Sequence, residues 1–439
     1  MSASRAVVAA LAISGTTLLM AASAGAKTYE VTKRSDPTPN GCKKKDCSLR
    51  EAVIAANGHP GSDKVVLPKR KTYSLRIENS IPPGEDESAE GDLDVTDTLL
   101  LSHPGKGRAK VDANAIDRVF DLIAPDTTFK KLTITGGVAD NQGGGGIRMV
   151  GSANLKLLRS SVKGNDSEGD AGGIRGNDGV MVIRRSKIAG NSADDFAGGV
   201  SFSSESTEPS RIVKSTIAGN VADGQGGGVM IFAHPVSIDN STIAGNRVGG
   251  NNGQGGGIAV DGPDAVARVT NSTITKNQAT GPGGGIFLGF GHGVHANALT
   301  VARNSAKFGG GLYSGTNDPF EIENSLIALN TASDDGPDCT DDGPPAFDID
   351  SLGHNLVSNA TDCDGFDATG DRVNSKPKLG KLKNNGGPTQ TVALKKRSPA
   401  INKADKQSAP NKDQRGEKRG KKPDIGAYER LKKKKGKNG

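Results

Sequence analysis

The chain has 439 residues, 62 of them Gly and none Trp, with 33% hydrophobic residues and a formal net charge of +7. The glycines follow no Gly-X-Y period, which excludes collagen, and the low apolar content argues against one large globular core. The charge is unevenly divided: from Asp371 onward 22 Lys and Arg face 6 Asp and Glu, whereas residues 334–371 hold 11 Asp and no cation. A basic balance alone would suggest nucleic acid, but the start of the chain argues against that partner. Arg5 precedes an apolar run from Ala6 to Ala22, and Ala24-Gly25-Ala26 offers a small-residue cleavage site. This is the pattern of a secretory signal peptide over residues 1–26. No later run reaches the ~18 apolar residues of a transmembrane helix, so a secreted or surface-associated protein, monomeric and without a membrane span, is expected.

Residues 27–108 read as an N-terminal cap. Its one helix-like stretch is Cys47-Ser48-Leu49-Arg50-Glu51-Ala52-Val53-Ile54-Ala55-Ala56-Asn57, placed to close the open end of a repetitive core. In an exported chain four cysteines favour two disulfides. Cys42 with Cys47 and Cys339 with Cys363 are the expected pairs, because each is close in sequence and far from the other.

Residues 109–358 carry a repeat. Asn165, Asn191, Asn220, Asn246, Asn277, Asn304 and Asn330 each end a short strand-like run and are answered by Gly-Gly and an aliphatic residue, as at Ile174, Val200, Val229 and Ile258. A fixed period of about this length is the signature of a solenoid. Within each repeat, aliphatic residues alternate with polar ones, as in Leu155, Leu157 and Val162 or Met181, Ile183 and Ile188. That period of two predicts short strands with one face inward. Two or three strands per repeat, stacked ~4.8 Å apart, make an all-β, right-handed, single-stranded parallel β-helix. The Asn residues are expected to form a structural ladder at one corner, with Ser160, Ser186, Ser215, Ser241, Ser272 and Ser325 as a second column and the paired glycines at the opposite corner.

Residues 359–429 read as a C-terminal closing segment and 430–439 as a disordered basic tail, with Lys432 to Lys435 and Lys437. The Cys-Ser-Leu-Arg-Glu-Ala run at 47–52 resembles the CSLREA-type N-terminal domain of secreted bacterial β-helix proteins. The end of the chain resembles the choice-of-anchor-type C-terminal domain of the same group, through Leu379-Gly380-x-Leu382, Asn384-Asn385-Gly386-Gly387-Pro388-Thr389, Ser398-Pro399-Ala400-Ile401, Asp413-Gln414-Arg415-Gly416 and Asp424-Ile425-Gly426-Ala427-Tyr428-Glu429. The coils are similar to the repeats of polymorphic outer-membrane proteins. These resemblances imply a large extracellular β-helix, pectin-lyase-like in architecture, and bring no catalytic residue with them. A polycationic tail could hold such a protein to an anionic wall polymer.

Two features of the coils vary and so could carry function. Lys156, Arg159, Arg184, Arg185, Arg211 and Lys214 occupy outward positions of early coils and are expected to form a basic stripe for an anionic cell-wall or extracellular polysaccharide. The loops after the Asn positions carry Asp166, Glu168, Asp170, Asp194, Asp195 and Asp223, candidate calcium ligands. The Asp-rich turn from Asp334 to Asp338, with Asp341 and Asp342, is another. No cofactor is required by the pattern. A non-catalytic adhesin or glycan-binding protein is the favoured reading; the alternatives are a polysaccharide lyase or glycoside hydrolase acting on an acidic glycan, and a structural surface-layer element.

Overall fold

The computed structural model describes residues 25–80, 88–204, 206–341 and 349–431. Most of the signal-peptide segment, Asp342 and the lysines of the basic tail lie outside the described residues. Among those described, the chain winds into a right-handed parallel β-helix with three long sheets of 12, 11 and 10 strands. One turn shows the path: Met181–Arg184 in the first sheet, Lys187–Ala189 in the second, then Val200–Ser203 in the third. Neighbouring turns pair in parallel register, so Ile183 lies beside Ile212 and Ile188 beside Ile217. The inward residues form one continuous apolar column from Tyr29 to Phe366.

The stack begins well before the repeat becomes visible in the sequence. Thr28–Glu30 opens the first sheet, Thr72–Ser74 the second and Leu93–Val95 the third. The boundary expected at residue 109 therefore falls within the coils. Strands such as Leu99–Ser102 lack the Asn and Gly-Gly punctuation, which is why periodicity alone misses them.

The helix Leu49–Asn57 sits over the N-terminal coils, and each residue of the motif before it has a mechanical task. Cys47 is bonded to Cys42. Ser48 caps the helix, its side chain accepting from the Glu51 amide while Glu51 accepts from the Ser48 amide, which satisfies two amides a helix start leaves open. Leu49 and Ala52 enter the core. Arg50 is fully buried, pairs with Asp36 at 2.9 Å and donates to the carbonyls of Ser88, Glu90, Gly91 and Asp92. The second disulfide, Cys339–Cys363, ties the last strand of the third sheet to the closing segment.

Two corners hold the turns in register. At the first, Ser186 accepts from the Ser160 amide and Ser215 from the Ser186 amide, each at 3.1 Å. At the second, the amide of Asn165 donates to Asn191, Asn191 to Asn220, and Asn220 to Asn246, each at 2.9 Å, and the ladder continues to Asn330. The left-handed residue at this bend is the one before each Asn, not the Asn itself: Gly190 and Gly219 in early coils, Lys276 and Arg303 later. The paired glycines serve close approach. A Cβ on Gly199 would meet the Gly228 carbonyl at 2.3 Å and the Asn220 amide nitrogen at 3.0 Å.

The closing segment runs back along the outer face of the second sheet. Gln414 is fully buried and joins Ser241, Thr242, Thr273 and Thr389 by hydrogen bonds. The Ala427 amide donates to Thr300, and Asn271 binds both the Lys412 carbonyl and Arg419. Leu379, Val392, Leu394 and Ile425 cover Leu326 and Leu356. Asp413 accepts from the amides of Arg415, Glu417 and Glu429, which knots the segment into a compact strap. The third sheet is covered differently: Met230, Ala259, Phe287 and Tyr313, one row on its outer face, pack with Ala171, Ala197 and Phe308.

Replacing Asn220 with Ala strips the partner from the Asn191 amide and the Ile188 carbonyl inside the stack. The expected cost is about 3 kcal/mol, read as a lowered midpoint in denaturant or heat; a change under about 0.5 kcal/mol would show that the ladder does not hold the coils. The strap should respond to pH. Burial pushes the Asp424 carboxyl up to about 6, against the backbone amides of Arg430 and Asn402, which lower it, with Glu429 adding to the rise. Since the folded value is raised, the stabilisation is complete below about pH 4 and is lost as pH rises through about 6. Asp424→Asn should therefore flatten the difference in melting temperature between pH 4 and pH 7, and an unchanged difference would contradict this assignment.

Candidate functional site: an open basic face

With the second sheet strapped and the third overlaid by its loops, the outer face of the first sheet and the corner that leads from it into the early second sheet are the open surfaces of the stack. All six residues of the expected basic stripe lie there, but in three columns. Lys156 and Arg211 share one row on the first sheet, with Val182 between them. Arg184 stands in the next outward row, beside Leu158 and Val213. Arg159, Arg185 and Lys214 are not on the strand. They adopt φ of 53°, 52° and 52° at the corner, where the chain needs a left-handed residue to leave the sheet. By strict alternation these three would share the inward side with Leu157, Ile183 and Ile212, and the bend is what turns them outward. Lys131 occupies the same corner one coil earlier, and Asn240 and Asn271 take it in later coils.

The corner carries more charge than the repeat reveals. Two loops from the early coils bring Arg70 and Arg108 beside Lys131 and Arg159, which border an open hollow of about 400 Å³. A second hollow of about 300 Å³ lies between Lys130, Leu158, Arg159, Arg184 and Arg185. Arg159 borders both. Arg108 is fixed by donating to the Arg159 carbonyl at 2.8 Å, and burial pulls its guanidinium below the usual arginine range. Among the described residues, Lys156 has a carboxylate at 3.8 Å, from Asp126, whereas none of Arg70, Lys131, Arg159, Arg184, Arg185 and Lys214 has one within 4 Å. Like charges held this close without counter-ions repel, so an added polyanion is attracted. The signals for the missed residues were present in Lys69-Arg70-Lys71 and Lys106-Gly107-Arg108, but they precede the recognisable repeat.

The loop acids do not gather. Asp166 belongs to a two-residue strand, Asp170 lies 3.8 Å from Arg175, and Asp194, Asp195 and Asp223 are exposed. Partial desolvation of its carboxyl and then the charge of Asp170 raise Asp195 above the usual carboxylate range. The Asp-rich turn is otherwise engaged. Asp338 ends the Asn ladder, accepting from the Asn330 backbone and side chain through one oxygen and from Ser358 and Asn359 through the other.

Among the described residues, three carboxylates converge elsewhere. The oxygens of buried Asp92, Asp94 and Asp121 lie within 4.8 Å of one another. Asp94 and Asp121 are paired in register on the third sheet, followed in the same row by Arg148. Arg118 reaches Asp92 at 3.5 Å and Asp121 at 3.8 Å, and Arg148 also pairs with Asp121. Burial, then Asp94 and Asp117, push Asp92 well above the usual carboxylate range. Two guanidinium groups and one favoured protonation balance this cluster, so the chemistry of the donor set fits a buried ion network. Arg118→Met leaves Asp92 and Asp121 short of a counter-charge and should cost about 3–5 kcal/mol in denaturant unfolding; a loss below about 1 kcal/mol would show that the network is not structural.

Among the described residues no helix is long and apolar enough to cross a membrane. No protein-family model matches the chain, and no curated protein does; the named end domains therefore stand as resemblances only. A crystal structure of the pectate lyase Pel9A matches over 92% of this chain and 96% of that one, with a TM-score of 0.51 and 18% identity. The protein thus shares the parallel β-helix fold with that enzyme.

Proposed function

We propose that the protein binds an acidic polysaccharide outside the cell, laid along the first-sheet face and its basic corner. The observation that carries this reading is the column Lys131, Arg159, Arg185 and Lys214, one cation per coil at the same corner, flanked by Arg70 and Arg108. Consecutive coils are ~4.8 Å apart, close to the length of one sugar unit, so a polyuronate can meet a cation at each step. Arginine's planar fork suits carboxylates. The two disulfides support an oxidising compartment, where acidic glycans are more accessible partners than nucleic acids. The resemblance of the chain ends to secreted β-helix proteins supports the same location.

The reading predicts binding to polygalacturonate, alginate or a teichoic-type polymer at low salt that fades as ionic strength rises to about 0.5 M, where screening shortens to a few ångströms. Arg159→Asn with Arg185→Asn keeps a residue that later coils use at this left-handed position, and should weaken binding at least about tenfold, or ~1.4 kcal/mol. Affinity indifferent to both salt and this double substitution, or equal affinity for a neutral glucan, would sink the proposal. Comparing the full chain with one lacking residues 430–439 separates the corner's share from that of the terminal lysines.

A further inference from the structure

The open face changes character toward the C-terminal coils. Along the row that contains Lys156 and Arg211, the next members are Ser237, Arg268, His295 and Glu321, paired strand to strand. Cations therefore recur every second coil, at Lys156, Arg211 and Arg268, ~9.6 Å apart, a spacing close to a disaccharide. Beyond Arg268 the row turns from cation to acid/base pair. His295 Nδ1 lies 2.7 Å from Glu321 Oε2. The partner is a carboxylate that accepts, so Nδ1 is the nitrogen that donates and Nε2 is the one left for a ligand. Arg268, His295, Glu321 and Glu323 border one hollow of about 200 Å³, with Asn297 donating to Glu323 at 2.6 Å. Arg268 is exposed and, among the described residues, has no carboxylate within 4 Å. On the turn leading into the His295 strand, Phe290 is 58% exposed; two coils earlier Phe232 is 49% exposed, and Gly262 passes between them. An imidazole oriented by a carboxylate and a cation one coil away, both bordering one hollow, form a constellation that a purely structural ion pair does not require.

We propose that this hollow is a catalytic site for β-elimination of a 4-linked uronate, with His295 as the base. The proposal rests on the acidic-polysaccharide reading and assigns a reaction to the far end of the same face. Arg268 holds the uronate carboxylate and offsets the charge that builds as C5 loses its proton. His295 Nε2 takes that proton; the C5–H electron pair becomes the C4=C5 double bond, and the C4–O4 bond breaks. The departing oxygen takes a proton from water and becomes the hydroxyl of a new reducing end. The imidazolium then returns its proton to solvent. No oxidant or reductant enters. Glu321 is a positioning residue, fixing the tautomer and supporting the imidazolium.

The test uses the folded full chain with tetramers of galacturonate, guluronate and mannuronate, too short to need the basic corner, and follows the ultraviolet absorbance of the unsaturated product. Polymer binding is measured separately, so failure of the binding reading and failure of this one are distinguishable. Product should accumulate with at least one tetramer. His295→Gln should lower kcat at least about a hundredfold with KM changed less than threefold, the scale of a lost general base. Glu321→Gln should lower kcat with KM little changed, and Glu321→Asp should recover part of the loss, a pattern that loss of packing alone would not produce. Arg268→Ala should raise KM, with partial rescue by Arg268→Lys. Thermal melts of each variant confirm folding. No unsaturated product from any of the three tetramers, or undiminished turnover in His295→Gln, overturns the proposal.

Discussion

The stack depends on the mutual fit of the asparagine ladder and the glycine column. Each buried Asn donates to the Asn of the next coil and to a backbone carbonyl behind it, as Asn220 does to Asn246 and Ile188. Those amides need the space that Gly199 and its counterparts leave by having no Cβ. A buried amide without partners would cost about as much as several apolar contacts provide, so a coil that lost either column would slip or open. With both in place, inward residues as modest as Val200 or Ile188 suffice for the core, which is how a chain with few aromatics folds into a long rod.

That scaffold decides where recognition can occur. Three faces leave the corners, and two are covered. The strap closes the second through Gln414, Arg419 and Ile425, and the loops with Phe308 cover the third. The first remains open, and along it the residues are not constrained by packing. There the charge runs from cations at Lys156 and Arg211 to the pair His295 and Glu321. A polymer lying along the rod axis meets this gradient in sequence. Its charge would be held at one end while a single unit reaches the imidazole at the other.

Much of the fold was legible because repetition multiplies weak signals. One Asn before one Gly-Gly pair says little, but Asn165 through Asn330 at a steady interval fixes strands, corners and sheet register together. The disulfides followed from proximity. The early coils were hidden because strands such as Leu93–Val95 have no ladder residue to mark them, and with them went Asp92 and Arg108. The corner was misread for a local reason: Arg159 follows the outward Leu158 directly in sequence, and only its positive φ reveals the bend. The His295–Glu321 pair was invisible in sequence because its members are 26 residues apart and meet through lateral pairing of coils. The loop acids failed in the opposite sense, since closeness in sequence did not bring them onto one point.

An acidic glycan bound as proposed would lie on the open first-sheet face, parallel to the rod. Hydrogen–deuterium exchange of the protein with and without an acidic hexasaccharide tests this placement most directly. Exchange should slow at the corner and first-sheet segments around residues 130–131, 158–159, 184–185 and 213–214, continuing toward 268 and 295, with the strapped second sheet unchanged. Protection confined to the loops over the third sheet, or around Asp92 and Asp121, would contradict it.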